Sequence, residues 1–293
     1  MTNPASLAPS TTTVNETSGS PSGVGRSVRV AAIGDLHLHD SVPPEIVTAL
    51  HSLNDRADLL VIAGDITENG RVPEGELARE LFDGITIPKV AVLGNHDRRG
   101  ARRIALRKTF EAAGIQLLDG DATTIDLPDG RRVGIAGVGG YGGGFWPEET
   151  PDVPGARISK AVGVRARRES ARLRHALDAI EHKDLDIRLV VMHYAPTTST
   201  LGEEPVIKYW MLGNSLLGRV IDEHAVDLVI HGHAHLGNEV GKTPGGTPVR
   251  NVATHVTGGP VLYNVSPGKQ IESLPLDTDA VRGTTGEPEE GAA

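Results

Sequence analysis

Asp, His and Asn side chains recur in this sequence where short apolar runs stop. VRVAAIG is followed by Asp35-Leu36-His37, DLLVIAG by Asp65, and PKVAVLG by Asn95-His96-Asp97. IRLVVM leads to His193, and VDLVIHG to His233-Ala234-His235. Imidazole, carboxylate and amide oxygen together suit borderline or hard ions such as Mn, Fe, Zn or Co. The chain has no cysteine, which excludes thiolate ligation and disulfides. One His or Asp at a strand end is usually a turn residue satisfied by a hydrogen bond. Five such fragments in order are a different matter, and they point to a metal centre. Alternate residues of an extended segment share a face, so Asp35 should converge with His37, and His233 with His235.

The elements that must position these residues are legible as well. Each apolar run is of strand length and rich in Val, Ile and Leu, as strands buried on both faces are. Helical segments are expected between them at 43–56, 74–84, 100–113, 161–182 and 214–224. This alternation indicates α/β layering, and in open α/β sheets ligands bind just beyond the carboxyl ends of the strands. Segments 122–127, 131–138, 247–252 and 260–265 have the Pro and Gly punctuation of antiparallel strands. The expectation is two mixed sheets with helices outside, in one domain over 28–274. Ser-, Thr-, Pro- and Gly-rich tails at 1–27 and 275–293 have little to bury and are expected to be disordered.

Composition narrows the partners. The formal net charge of −9 argues against a general polynucleotide binder, which needs excess Lys and Arg. No apolar run reaches the roughly 18–20 residues that span a bilayer, and the N-terminal segment lacks the pattern of a secretory leader. A cytoplasmic protein without a membrane partner is expected, and a homodimer is compatible with the sequence. His39, His51, His175, His182, His224 and His255 read as surface or core residues, with His231 a candidate for supporting the centre. The cluster Arg165, Arg167, Arg168, Arg172 and Arg174 reads as a solvated helix face. The run Gly139–Gly144 lacks the Lys and Ser/Thr of a P-loop and reads as a flexible loop. Aromatics are 3% of the chain, yet Tyr141, Phe145, Trp146, Tyr194, Tyr209 and Trp210 fall in two loop regions. Either they form a wall facing the substrate, or the two loops pack on each other.

The ordered set Asp-x-His, Gly-Asp, Gly-Asn-His-Asp, a lone His and Gly-His-x-His resembles the calcineurin-like metallophosphoesterase superfamily over about residues 28–265. The resemblance implies a four-layer α/β/β/α sandwich and two divalent or mixed-valence metal ions. It places the first ion on Asp35, His37, Asp65 and His235. The second shares Asp65 and adds Asn95, His193 and His233. His96 would protonate the leaving group, oriented by Asp97. Two ions about 3.5–4 Å apart can clamp the attacking and leaving oxygens of an in-line displacement, and a water bound to such an ion can ionise at about pH 7. The segment Gly64-Asp65-Ile66-Thr67-Glu68-Asn69-Gly70 departs from the protein phosphatases of that superfamily, with Asn69 where they carry a phosphate-binding Arg. Glu68 replaces an Asp that is not a direct ligand and is expected to support the ligands from behind. The intact Gly-His-x-His is similar to the phosphodiesterase branch. The function implied is hydrolysis of a small phosphodiester or nucleotide-like phosphate ester. The alternatives are a phosphomonoesterase and a scaffold that has kept the fold without catalysis.

Overall fold

The structure is a computed structural model that describes residues 26–150 and 157–276. The first half alternates strictly: β1 (Val28–Ile33), α1 (Pro44–His51), β2 (Leu59–Ile62), α2 (Val72–Asp83), β3 (Lys89–Val92), α3 (Arg103–Ala112) and β4 (Ile115–Leu118). There follow β5 (Asp121–Asp126), β6 (Arg132–Val138), α4 (Arg157–Glu181), β7 (Ile187–Met192), α5 (Tyr209–Leu212), α6 (Ser215–Asp222) and β8 (Leu228–His231). The chain then runs through β9 (Val240–Lys242), β10 (Pro248–Asn251), α7 (Thr254–Thr257), β11 (Val261–Ser266) and β12 (Gln270–Leu274). The five expected helices and the expected strands are all present, with ends shifted by a few residues. The strand at β4 and the edge strands β9 and β12 were not anticipated.

Two six-stranded sheets form, in the orders β12-β11-β1-β2-β3-β4 and β5-β6-β7-β8-β10-β9. Both are mixed. β1 to β4 run parallel, as do β6, β7, β8 and β10, while β5, β9, β11 and β12 pair antiparallel with their neighbours. The segments at β6 and β10, expected to be antiparallel, therefore pair both ways, because each joins an edge strand to the parallel centre of the second sheet.

The period of two along each strand sorts its side chains into layers. Val28, Val30 and Ala32 of β1 meet Ile135, Leu189, Val191 and Ile230 of the second sheet in the space between the sheets. Ala31 and Ile33 face the other way, onto Leu50, Phe82, Leu106 and Phe110 of the first three helices. On the far side, Val190 and Val229 pack against Leu173, Leu177 and Ile180 of α4 and Ile221 of α6. Leu173, Ala176, Leu177 and Ile180 follow the i, i+3, i+4, i+7 spacing of a helix with one apolar stripe. The molecule is thus a four-layer α/β/β/α sandwich. Burial of each such side chain contributes roughly 1.5–3 kcal/mol, which holds the two sheets in fixed register. Most of the expected tails, 1–25 and 277–293, lies outside the described residues. Of the rest, Leu276 already packs against the first core layer, and Arg26 donates to the Asp129 carbonyl at 3.2 Å.

Candidate metal centre

The strand ends that carry the chemistry meet at one edge of the sandwich. Sheet packing brings the ends of β1, β2 and β3 against those of β7 and β8. The His193 ring ties the two sheets directly, donating from Nδ1 to the Ala63 carbonyl at 2.9 Å.

Convergence is not achieved by strand alternation, as the sequence suggested. Asp35, His37, Asp65 and His233 all have left-handed backbones, with φ of 55°, 47°, 49° and 69°. Lys269 is the one other non-glycine residue so placed among the described residues. The left-handed region costs about 1–2 kcal/mol for an L-residue, and such strain persists only where surrounding contacts impose it. Here the Asp35 and His37 amides donate to the carbonyls of Gly64 and Asp65, each at 3.0 Å. The His233 amide donates to Asp35 Oδ2 at 2.9 Å, and Thr254 Oγ1 to the Asp35 carbonyl at 2.6 Å. Two glycines allow this crowding: a Cβ on Gly94 would lie 2.1 Å from Asp65 Oδ1, and one on Gly232 2.0 Å from Asp35 Oδ2.

With the backbone so bent, the ligand atoms gather. Asp35 Oδ1 lies 2.9 Å from His235 Nε2 and 3.7 Å from His37 Nε2. Asp65 Oδ1 is occupied by the His96 amide at 2.7 Å. Its other oxygen, Oδ2, faces His193 Nε2 at 3.2 Å, His37 Nε2 at 3.9 Å and His96 Nε2 at 4.0 Å. Asn95 Oδ1 is 2.9 Å from His193 Nε2. Asp35 with His37 and His235 can offer one cation three ligand atoms within 4.8 Å of one another, and Asp65 with His193 and His233 can do the same. The seven residues expected as ligands are therefore all brought together. Their chemistry fits cations: His37 Nε2 is buried without any hydrogen-bond partner although two carboxylates stand before it.

Burial alone would push the Asp35 carboxyl up, but the hydrogen bond from His235 and the nearby His37 and His193 rings hold it below the usual carboxylate range. Burial likewise pushes Asp65 up and is outweighed by His193. Burial would lower His193, yet the charges of Asp65 and Asp35 raise it to about 9. His233 is pushed down to about 3 by burial and by His193, so it is neutral, as a ligating imidazole must be.

Asp97 departs from its expected role. Its buried carboxylate accepts from the amides of Thr67 at 2.9 Å, Gly94 at 3.0 Å and Ile66 at 3.3 Å, and from Thr67 Oγ1 at 2.8 Å. It braces the two turns carrying Asp65 and Asn95 and makes no bond to His96. Burial, followed by the Asp65 charge, raises its carboxyl above the ordinary value. Residues 95–99 form a turn in which His96 reaches Glu68 instead. His96 Nδ1 donates to the Glu68 carbonyl at 2.8 Å and lies 3.3 Å from Oε1, while His37 Nδ1 meets Glu68 Oε2 at 2.7 Å. Glu68 thus supports two imidazoles from behind, more than the sequence implied.

Other histidines sort cleanly. His231 is buried, bonded to Thr200 Oγ1 at 2.8 Å and to the Gly232 carbonyl at 2.7 Å, and burial lowers it to about 4. His255, read from sequence as an ordinary residue, stacks on His235 with ring centroids 4.0 Å apart and planes at 5°. It follows no apolar run, so no local signal pointed to it. The glycine loop braces the site, its Gly139 carbonyl accepting from the His193 and Tyr194 amides. Of the loop aromatics, Tyr194 stands 4.3 Å from the His233 ring. Phe145 and Tyr209 pack edge to face at 6.4 Å, so the loops do pack on each other. Trp146 and Trp210, 74% and 45% exposed, line a neighbouring cavity of about 710 Å³.

Comparison with known proteins accords with this geometry. The family model for calcineurin-like phosphoesterases matches residues 28–237, which include every residue described above as a candidate ligand. A stretch of 53 residues is 36% identical to the glycerophosphodiester phosphodiesterase GpdQ of Enterobacter lignolyticus. It covers 18% of this chain and 19% of that protein, so the match spans about a fifth of the relative. Among solved structures, the Mycobacterium tuberculosis phosphopantetheinyl hydrolase PptH aligns with a TM-score of 0.54 at 17% identity, covering 87% of this chain and 99% of that one. The protein TT1561 of Thermus thermophilus aligns with a TM-score of 0.54 at 14% identity, covering 85% and 99%. At these identities the structural likenesses speak for the fold alone. With the match extending from the first strand to just beyond His235, the chain belongs to the calcineurin-like phosphoesterase family.

Proposed function

We propose that this protein is a two-metal hydrolase of a small phosphodiester or nucleotide-like phosphate ester. The observation that carries the reading is Asp65 Oδ2, which stands between two groups of ligand atoms, 3.2 Å from His193 and 3.9 Å from His37. One ion would be held by Asp35, His37, Asp65 and His235, the other by Asp65, Asn95, His193 and His233. Bound there, ions of the Mn, Fe, Zn or Co type would polarise the phosphoryl group and make water nucleophilic near neutral pH. Two carboxylates among otherwise neutral ligands leave such a centre net positive, which favours an anionic ester. His96, protonated on Nε2, donates to the leaving oxygen while its Nδ1 stays fixed by Glu68. Asp97 locks the turns beneath. A non-catalytic scaffold would have no reason to keep this complete, strained ligand set. No helix among the described residues is long and apolar enough to cross a membrane.

The test is turnover by purified protein loaded in turn with each metal. Bis(p-nitrophenyl) phosphate should be hydrolysed faster than p-nitrophenyl phosphate. Asp65→Ala should lose both ions by elemental analysis and with them all turnover, whereas Asn95→Ala should chiefly weaken one. Two ions retained by Asp65→Ala would refute the bridging role, and faster monoester turnover would make the protein a phosphomonoesterase.

A further inference from the structure

We infer that a basic pocket beside the metal centre recognises a second phosphate group on the substrate, distinct from the ester being cleaved. The inference rests on the hydrolase reading for its substrate and on its own observations for the pocket. A cavity of about 230 Å³ is lined by Asn95, Arg98, Arg103, Tyr141, Arg165 and Tyr194, together with three apolar or glycine residues and no carboxylate. In a chain of formal net charge −9, three arginines around one small cavity are a local reversal of sign.

The pocket shares its wall with the centre. Asn95 lines it and has Oδ1 2.9 Å from His193 Nε2. Tyr194 lines it and lies 4.3 Å from the His233 ring. From there Tyr141 is 5.9 Å further, and the Arg165 guanidinium sits 5.4 Å over the Tyr141 ring. A substrate whose ester lay on the metal ligands would extend along the two tyrosines toward the arginines.

The positive charge is not cancelled by its neighbours. Arg98 pairs with Asp119 at 3.1 Å, and Arg165 with Glu169 at 2.9 Å. Arg172 pairs with both of these carboxylates, at 3.0 and 3.3 Å. Three cations therefore share two anions. Arg103, at the start of α3, makes no ion pair among the described residues and adds a further charge at the rim. The planar arginine fork binds phosphate through paired hydrogen bonds, and the cavity is below the range of roughly 300–1,000 Å³ that takes a whole ligand. Its size suits one charged group of a larger substrate. Of the three, Arg165 read from sequence as part of a solvated helix face with Arg167, Arg168, Arg172 and Arg174; it is set apart from those by the strand-end loops it faces.

Steady-state kinetics on the metal-loaded protein tests this with two esters that differ by one phosphate: thymidine 5′-(p-nitrophenyl phosphate) and its 3′-phosphorylated form. The extra phosphate should raise kcat/KM by about tenfold or more, the scale of one charge-assisted contact. In Arg103→Met and in Arg165→Met that ratio should fall toward one. Arg103 is exposed and makes no ion pair among the described residues, so its variant keeps the test valid even if Arg165→Met disturbs Glu169. A ratio near one in the wild type, or one unchanged in both variants, overturns the pocket. Calorimetric titration with thymidine 3′,5′-bisphosphate and thymidine 5′-monophosphate separates this inference from the hydrolase reading. If neither ester nor bis(p-nitrophenyl) phosphate is cleaved, the hydrolase reading fails. Tighter binding of the bisphosphate, lost in Arg103→Met, would still uphold the pocket, and equal binding of the two would overturn it.

Discussion

At His96, Nδ1 is tied to the Glu68 carbonyl at 2.8 Å while Nε2 stands 4.0 Å from Asp65 Oδ2. The ring is fixed on one side and open on the side that faces the ligands, which suits a proton donor held at a set angle. The same Nε2 also falls near enough to His37 and Asp65 to compete as a ligand atom. Ester chemistry distinguishes the two roles. Proton donation is worth about 10²–10⁴-fold where the leaving oxygen needs a proton. An alkoxide such as a ribose oxygen needs one, and a nitrophenolate scarcely does. His96→Asn should therefore cut alkyl ester hydrolysis by that factor, largely spare nitrophenyl esters, and retain both metals by elemental analysis. Equal losses on the two ester types, or a fall in metal content, would make His96 a ligand.

The strand-end turns are the elements that do the assembling. Each follows a buried parallel strand and carries a carboxylate, an amide or an imidazole into the seam. Left-handed backbones at Asp35, His37, Asp65 and His233 replace the alternation of an extended chain. Gly94 is a point of close approach between two of these turns, since its absent Cβ leaves room for Asp65 Oδ1. Gly94→Ala should push the Asp65 carboxylate aside and lower metal affinity by about 10–100-fold, the usual scale for disturbing the support of a ligand. Circular dichroism should be unchanged, because β3 is held by its own buried side chains. Gly259→Ala is the control, where a Cβ would meet Ile46 Cδ1 at 3.3 Å and no ligand. An equal loss of affinity in both variants, or none in Gly94→Ala, would show that the glycine is not what admits the carboxylate.

Across the whole molecule, the candidate centre is the seam where the two sheets meet at one edge. Three turns come from the first sheet and two from the second, so bound cations would cross-link the sandwich. The native state would then be stabilised by mass action, by about 2.7 kcal/mol at a hundredfold excess over Kd for one site. A domain of this size gains roughly 2–4 °C in Tm per kcal/mol. Loading with the favoured metal should raise Tm on the order of 5–10 °C, and excess chelator should reverse it in a thermal scan. No shift with Mn, Fe, Zn or Co would mean that the native fold does not hold ions here.

The candidate ligands were legible in the sequence, because each sits one to four positions beyond a run of Val, Ile and Leu that forms a buried strand. The helices were legible for the same local reason, as at Leu173, Ala176, Leu177 and Ile180. Three of the four edge strands were not. Gln116 interrupts β4, and β9 and β12 are largely exposed, so burial imposed no apolar pattern on them. Only the tertiary structure decided how the ligands converge, since the left-handed turns depend on bonds from Gly64, Asp65 and Thr254 to residues far away in the chain. It moved Asp97 from orienting His96 to bracing Thr67 and Gly94, and gave Glu68 two imidazoles to hold. His255 joined the site through a stack on His235, and Arg98, Arg103 and Arg165 joined one cavity from separate elements. Local patterns record which face of an element is buried. Which elements then face each other is set by the packing of two sheets, and no short stretch of sequence carries that.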